Sequence, residues 1–289
     1  MTVKEALKWG RQMLQMAGQS AQEAGRDVQV LLGHVLGVER SALYAHPERE
    51  LTDRELQHLT TLLARRQRGE PVAYLLGHKE FFGVDLFVDR RVLIPRPETE
   101  LLVEAVLTEA RSRLERREVP VIADIGTGSG AIAVALAVSE PRLPYLYACD
   151  SSAAALEVAR LNCERYGVSG RVRLLQGDLV QPLPEPVDLL AANLPYVGLE
   201  EREQLAPDVR DFEPPEALFA GPRGLALLER LLLQLRERPV LKERAVVFLE
   251  IGDQQREALE SFARQLWPSL GLACRRDYAG HERLLILTF

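Results

Sequence analysis

Apolar residues recur at helical spacing through the first quarter of the chain. Ala6, Leu7, Met13 and Leu14 form one stripe and Val28, Leu31, Leu32, Val35 and Leu36 a second, with little strand signal from Val3 to about Arg68. Gly18, Gly25, Gly37 and Pro47 read as breaks. Thr52-Asp53-Arg54-Glu55 has the form of a capping box, opening a helix that ends in the basic run Arg65-Arg66-Gln67-Arg68, which reads as a solvated helix end. Residues 1–70 are therefore expected to form a small all-helical domain of about four short helices.

The pattern then changes. Tyr74-Leu75-Leu76-Gly77, Lys79-Glu80-Phe81-Phe82-Gly83 and the period-two run Val84-Asp85-Leu86-Phe87-Val88 predict a β-hairpin linker over residues 71–95. From there strand and helix signals alternate. Strands are expected at Val121 to Ile125, Tyr145 to Cys149, Arg171 to Leu175, Val187 to Ala191, Val246 to Glu250 and Arg283 to Thr288; helices at Ala131 to Val138, Ala153 to Tyr166, Leu225 to Leu235 and Gln255 to Trp267. Such alternation specifies an α/β fold, a doubly wound and mostly parallel sheet covered by helices on both faces, over residues 96–289.

Composition narrows the function. The 289 residues carry a formal charge of -6, whereas affinity for nucleic acid rests on a lysine and arginine excess that neutralises phosphates. A direct nucleic-acid substrate is disfavoured. Cys149, Cys163 and Cys274 lie far apart without a Cys-x-x-Cys pair, and His34, His46, His58, His78 and His281 show no ligand spacing, so no metal site is expected. No signal peptide is apparent, and no apolar run approaches the roughly 20 residues that span a bilayer. A cytoplasmic protein, monomeric by default, is expected.

The chemistry-bearing residues fall at predicted strand ends. The first strand runs into Gly126-Thr127-Gly128-Ser129-Gly130, where glycines permit a sharp turn and close approach of a ligand to a helix N-terminus. The second ends in Asp150, about 20 residues on, placed to accept from ribose hydroxyls. Both features suit a nicotinamide cofactor as well as a methyl donor. The third ends in Gln176-Gly177-Asp178-Leu179, where Asp178 can accept from an adenine amino group while Leu179 covers the ring, or Asp178 can simply cap a turn. The fourth ends in Asn193-Leu194-Pro195-Tyr196, an unusual close for a buried strand. That tetrapeptide resembles the Asn/Asp-Pro-Pro-Tyr signature of methyltransferases acting on planar amino or amide nitrogens.

With its surroundings, the tetrapeptide resembles the release-factor glutamine methyltransferase family, also called HemK or PrmC. The likeness extends to Pro71-Val72-Ala73-Tyr74-Leu75, Leu93-Ile94-Pro95-Arg96-Pro97-Glu98-Thr99-Glu100, Asp208-Val209-Arg210-Asp211-Phe212-Glu213-Pro214 and Arg276-Asp277-Tyr278-Ala279-Gly280-His281-Glu282-Arg283. It implies a substrate-recognising helical domain and a Rossmann-like catalytic domain. It also implies S-adenosyl-L-methionine as methyl donor, S-adenosyl-L-homocysteine as product, and as partner a peptide chain release factor presenting glutamine in a Gly-Gly-Gln loop. By position, Gly126, Thr127, Gly128, Ser129, Gly130, Asp150, Asp178, Leu179 and Asn193 would hold the donor. Asn193, Leu194, Pro195 and Tyr196 would hold the glutamine, with the Asn193 side-chain oxygen and the Leu194 carbonyl accepting its amide hydrogens and Tyr196 stacking on the amide plane. Arg96 and Glu98 sit in a segment at a helix start that either lines the glutamine entrance or simply has Glu98 and Glu100 complement the helix dipole; Glu250 either closes the donor pocket or makes a structural turn. Leu194 stands where the family usually has proline, which removes a fixed dihedral but keeps the carbonyl. Asn-Leu-Pro-Tyr is also the spelling of ribosomal RNA adenine dimethyltransferases, and a related subgroup modifies glutamine in a ribosomal protein; both remain as alternatives.

Overall fold

The computed structural model describes residues 1–289, and its internal contacts divide the chain into two units. One comprises Met1–Gly77 with Ala206–Phe212, the other His78–Leu205 with Glu213–Phe289.

The first unit is helical: α1 (Val3–Met16), α2 (Ala21–Leu36), α3 (Arg40–Ala45), α4 (Asp53–Gln67) and α5 (Val72–Leu76). Capping boxes at Thr2/Glu5, Ser20/Glu23 and the expected Thr52/Glu55 satisfy the first amides of α1, α2 and α4. A Cβ on Gly10 would stand 3.0 Å from Val28, so a glycine lets α1 and α2 cross closely over the core of Leu14, Leu31, Leu32, Leu59 and Leu63. Three expectations need correction. Gly25 lies inside α2 and does not break it. The Pro71 to Gly77 stretch, expected to extend the hairpin, forms α5 with Gly77 in the left-handed conformation at its end. The basic run is also more engaged than a solvated helix end, since Arg66 Nε bonds Asp27 Oδ2 at 2.7 Å and Arg65 pairs with Glu70.

The second unit opens with the hairpin β1 (His78–Phe81) and β2 (Val84–Phe87), paired antiparallel. It continues through α6 (Glu100–Glu115), β3 (Ile122–Ile125), α7 (Ala131–Ser139), β4 (Leu146–Asp150), α8 (Ala153–Arg165), β5 (Val172–Gln176) and β6 (Val187–Ala192). After α9 (Pro207–Phe212), which belongs to the helical unit, come α10 (Ala226–Glu237), β7 (Leu241–Glu250), α11 (Arg256–Leu266), β8 (Gly271–Arg276) and β9 (Glu282–Thr288). The seven-stranded sheet has the order β5-β4-β3-β6-β7-β9-β8. β3 to β7 are mutually parallel, and β9 and β8 close one side antiparallel.

Alternation along the strands supplies both helical layers. Ile122, Leu189, Ala191, Val246 and Phe248 face a core with α6 and α7. Ala123, Ile125, Leu190, Ala192, Val247 and Leu249 face one with α10 and α11. Period-two geometry makes both faces apolar, as expected of parallel strands covered on both sides. Within this unit the hairpin is pinned to α8 by the buried Asn162, which accepts from Phe87 N at 2.7 Å and donates to Phe87 O at 3.0 Å and Ser129 O at 2.8 Å.

α7 is followed by Glu140, whose carboxylate takes Arg142 Nε at 2.7 Å, Arg142 Nη2 at 2.8 Å and Arg111 Nε at 3.2 Å. Hydrogen bonding to Arg142 holds its carboxyl down to about 2 against an ordinary 4.5. A depressed acid contributes stability above about pH 4.5 and loses it as pH falls towards 2. Glu140→Gln is therefore expected to lower the unfolding free energy by about 1 kcal/mol at pH 7, with the gap narrowing at acid pH in denaturant titrations. An equal gap at both pH values would remove these ion pairs as its cause.

Candidate active site

Five consecutive features of the second unit meet at the carboxyl edge of the sheet. They are the loop after β3, the end of β4, the turn after β5, the tetrapeptide after β6 and the end of β7. β3 and β6 are neighbours although β4 and β5 lie between them in sequence. The winding direction changes there, opening the crevice in which doubly wound sheets bind ligands.

The glycine loop is built from backbone bonds. Gly126 N and Thr127 N donate to Cys149 O at 2.9 and 3.0 Å, and Gly128 N donates to Asp150 Oδ2 at 2.9 Å. Gly126, Gly128 and Gly130 all have positive φ, and each glycine has its own reason. A Cβ on Gly126 would stand 2.8 Å from Leu194 Cδ2, and one on Gly130 would stand 3.2 Å from the Ala159 Cβ; at Gly128 nothing lies within 4 Å. Gly126 thus admits the Leu194 side chain, Gly130 admits α8, and Gly128 leaves open space above the loop.

The cleft at this edge has a cavity volume of about 170 Å3 and is bordered by Gly126, Thr127, Gly128, Ser129, Asp150, Asp178, Leu179, Asn193, Leu194 and Pro195. Of the residues singled out in the sequence, Gly130, Tyr196, Arg96, Glu98 and Glu250 do not border it. Tyr196 instead lines a neighbouring cavity with Arg223, Gln255 and Arg283. Arg96 pairs at 2.5 Å with the buried Glu213, which also accepts from Ile94 N at 3.1 Å. Asp178 pairs with Arg230, and Gln234 Nε2 donates to its Oδ2 at 2.8 Å. The cleft further contains Thr99, from the Leu93 to Glu100 segment, and Arg91, Glu216, Leu227 and Arg230, which carry no local motif and arrive through tertiary folding.

Behind the tetrapeptide lies a buried polar cluster. Asn193 Nδ2 donates to Thr99 Oγ1 at 3.0 Å, and Tyr196 Oη donates to Glu250 Oε1 at 3.3 Å. Burial pushes the Tyr196 phenol well above its ordinary value, so it keeps its proton. Burial also raises the Glu250 carboxyl to about 7, with Thr99, Arg283 and Tyr196 opposing. Gln255, which no sequence feature marked, donates from Nε2 to Tyr196 O at 2.8 Å and Arg223 O at 2.9 Å, and accepts from Gly252 N at 2.8 Å. The Arg276 to Arg283 turn serves the same region, since Asp277 holds Arg283 Nε at 3.2 Å and Arg283 Nη1 reaches Ile251 O at 3.4 Å.

Acidic groups crowd the glycine loop as well. Asp124 is fully buried, takes the Thr127 hydroxyl at 2.6 Å and leaves Oδ1 without a partner; burial raises it to about 7. Asp150 is raised by burial and lowered in part by the Ser152 and Gly128 amides. Glycine backbone, an acid at the end of β4 and a mostly apolar cleft are what a nucleoside-bearing donor would require.

Fold and site together define a methyltransferase. A family profile described as the PrmC N-terminal domain matches residues 5–77, and one described as the methyltransferase small domain matches residues 97–208. The chain is 36% identical to the release factor glutamine methyltransferase of Rhodopirellula baltica, over 98% of this chain and 95% of that one. It is 39% identical to the enzyme of the same name from Moorella thermoacetica, over 99% and 98%. The protein belongs to the release factor glutamine methyltransferase family. Among solved structures, a methyltransferase from Pyrococcus furiosus superposes with a TM-score of 0.51 over 82% of this chain and 98% of that one; at 18% identity it speaks for the fold alone. No helix is long and apolar enough to cross a membrane.

Gly130 and Gly167 separate packing from backbone strain, since both have positive φ but only Gly130 faces a neighbour where a Cβ would stand. Gly167→Ala is expected to cost about 1 kcal/mol and Gly130→Ala about 2–3 kcal/mol in denaturant unfolding. Equal losses would mean that α8 does not constrain the loop.

Proposed function

We propose that the protein transfers the methyl group of S-adenosyl-L-methionine to the side-chain amide nitrogen of the glutamine in the Gly-Gly-Gln loop of a peptide chain release factor. It would do so in the cytoplasm and as a monomer, releasing S-adenosyl-L-homocysteine. Residues 1–70 would recognise the release factor, residues 71–95 would link, and residues 96–289 would catalyse. The observation that carries this is the orientation of Asn193, whose amide nitrogen is occupied by Thr99 and whose oxygen is left to accept a hydrogen.

When bound, the donor supplies an electrophilic methyl group. Gly126 to Gly130 would present backbone to it, Asp150 would accept from its ribose hydroxyls, and Asp178 and Leu179 would border its adenine. An amide nitrogen is a poor nucleophile because its lone pair is delocalised into the carbonyl. The Asn193 oxygen and the Leu194 carbonyl would take both amide hydrogens, turning the lone pair towards the methyl group; such orientation is worth several kcal/mol. Tyr196, tethered through its hydroxyl to Glu250 and through its carbonyl to Gln255, would present its ring to the amide plane. No strong base is required, because an N-methylated amide cation loses its proton readily. Arg96 would act on the entrance indirectly, by holding Glu213 and through it the Ile94 backbone.

The test offers labelled S-adenosyl-L-methionine with a purified release factor, with the same factor carrying alanine for the Gly-Gly-Gln glutamine, with ribosomal protein and with unmodified ribosomal RNA. Label on the unaltered release factor alone is expected. Label on ribosomal protein would move the substrate within the glutamine class, and label on RNA alone would refute the proposal. Asn193→Asp should reduce kcat on the order of 100-fold while S-adenosyl-L-homocysteine binds within about threefold of wild type by calorimetry.

A further inference from the structure

Thr99 joins the single helical turn Pro97–Thr99 to α6 with helical dihedrals, φ -67° and ψ -18°, so its hydroxyl, unlike those of Thr2 and Thr52 at the starts of α1 and α4, is not placed to accept from an amide of the following turn. Its hydroxyl, in a residue only 3% exposed, is turned to Asn193 Nδ2 instead. Pro95, Pro97 and the single helical turn Pro97–Thr99 restrict the backbone that delivers it.

A carboxamide offers a donor at one end and an acceptor at the other, and a half-turn about its last bond exchanges them. In the structure the Nδ2 end meets Thr99, whose hydroxyl oxygen accepts from it at 3.0 Å, so Oδ1 faces away from Thr99.

Resting on the glutamine methylation proposed above, we propose that Thr99 is a positioning residue that sets the Asn193 carboxamide with its oxygen towards the substrate amide. Thr99 does not need to touch the substrate. Without the hydroxyl, Asn193 is free to present its NH2 group, which repels the amide hydrogens it has to bind.

Thr99→Val keeps the shape and removes the hydroxyl; Thr99→Ser restores it. With a release factor as substrate, Thr99→Val is expected to lower kcat by about 10- to 100-fold, and Thr99→Ser to return to within about threefold of wild type. Binding of S-adenosyl-L-homocysteine and thermal midpoint should be alike in the two variants. A Thr99→Val enzyme with wild-type kcat, or a Thr99→Ser enzyme as slow as Thr99→Val, overturns the inference and leaves the function standing. Should wild type fail to methylate the release factor, the function falls instead, and the inference is judged without substrate. In the 15N-labelled protein, the Asn193 side-chain NH2 is expected to show cross-relaxation to the Thr99 methyl group and slowed hydrogen exchange, both lost in Thr99→Val. An Asn193 NH2 with neither property in wild type overturns the inference on its own.

Discussion

The structure depends on how closely two backbone loops approach one another where the winding of the sheet reverses. β3 and β6 are adjacent, and a Cβ on Gly126, whose φ is +75°, would stand 2.8 Å from Leu194 Cδ2 and 3.5 Å from Asn193 O. A side chain there would have to displace that of Leu194 and hold a left-handed backbone. That single contact places the proposed donor loop beside the proposed acceptor tetrapeptide, which is what transfer between two bound molecules requires. It also gives Leu194 a purpose. Where the family usually has proline, a larger apolar side chain, 4% exposed, fills the space above the glycine and restores by packing some of the rigidity that a free dihedral loses.

Around this contact the unit departs from the chemistry of its cores. Above and below the sheet the layers are apolar, and α7 is buried along nearly its whole length. At the carboxyl edge Asp124, Asp150 and Glu250 are instead withdrawn from water, and burial raises all three. Buried acids destabilise a fold unless they are paired or hydrogen-bonded. Here the partners are loop amides and neighbouring hydroxyls: Gly128 and Ser152 for Asp150, Thr127 for Asp124, Tyr196 and Thr99 for Glu250. Each partner therefore shapes a loop while it stabilises a charge, and preorganised polar groups of this kind support catalysis by having little reorganising left to do.

The helical unit follows a more local logic. Three capping boxes start its longer helices, and Gly10 allows the first crossing. Its boundary is less local. Ala206–Phe212 leaves the second unit and joins the helical one, where a Cβ on Gly69 would stand 3.2 Å from Phe212. The chain that carries the tetrapeptide thus passes through the helical unit before returning to β7, so one continuous backbone joins the two functions assigned to them.

The sequence by itself determined the elements whose periodicity is strong and the site residues whose constraint is local. β3, β4, β5, β6, β7 and β9 fall within a few residues of expectation, as do α7, α8, α10 and α11. Apolar runs bounded by glycine and aspartate leave few alternatives. β8 went unseen because it is an edge strand, with only Leu272 and Cys274 turned inward and two arginines at its end; partial burial of one face writes a faint pattern. Only the tertiary structure decided which residues serve the site. Gly128 and Gly130 look identical in the chain, yet one faces open space and the other faces α8. Arg96 looked like an entrance residue and is spent on Glu213. Gln255 and Arg230 carry no motif, and Thr99, one of eight residues in a family-matching segment, has no role of its own until Asn193, 94 positions away, is brought to within 3.0 Å of its hydroxyl. A motif records what a backbone needs from its own neighbours, whereas a hydrogen bond between distant strand ends exists only once the sheet has closed.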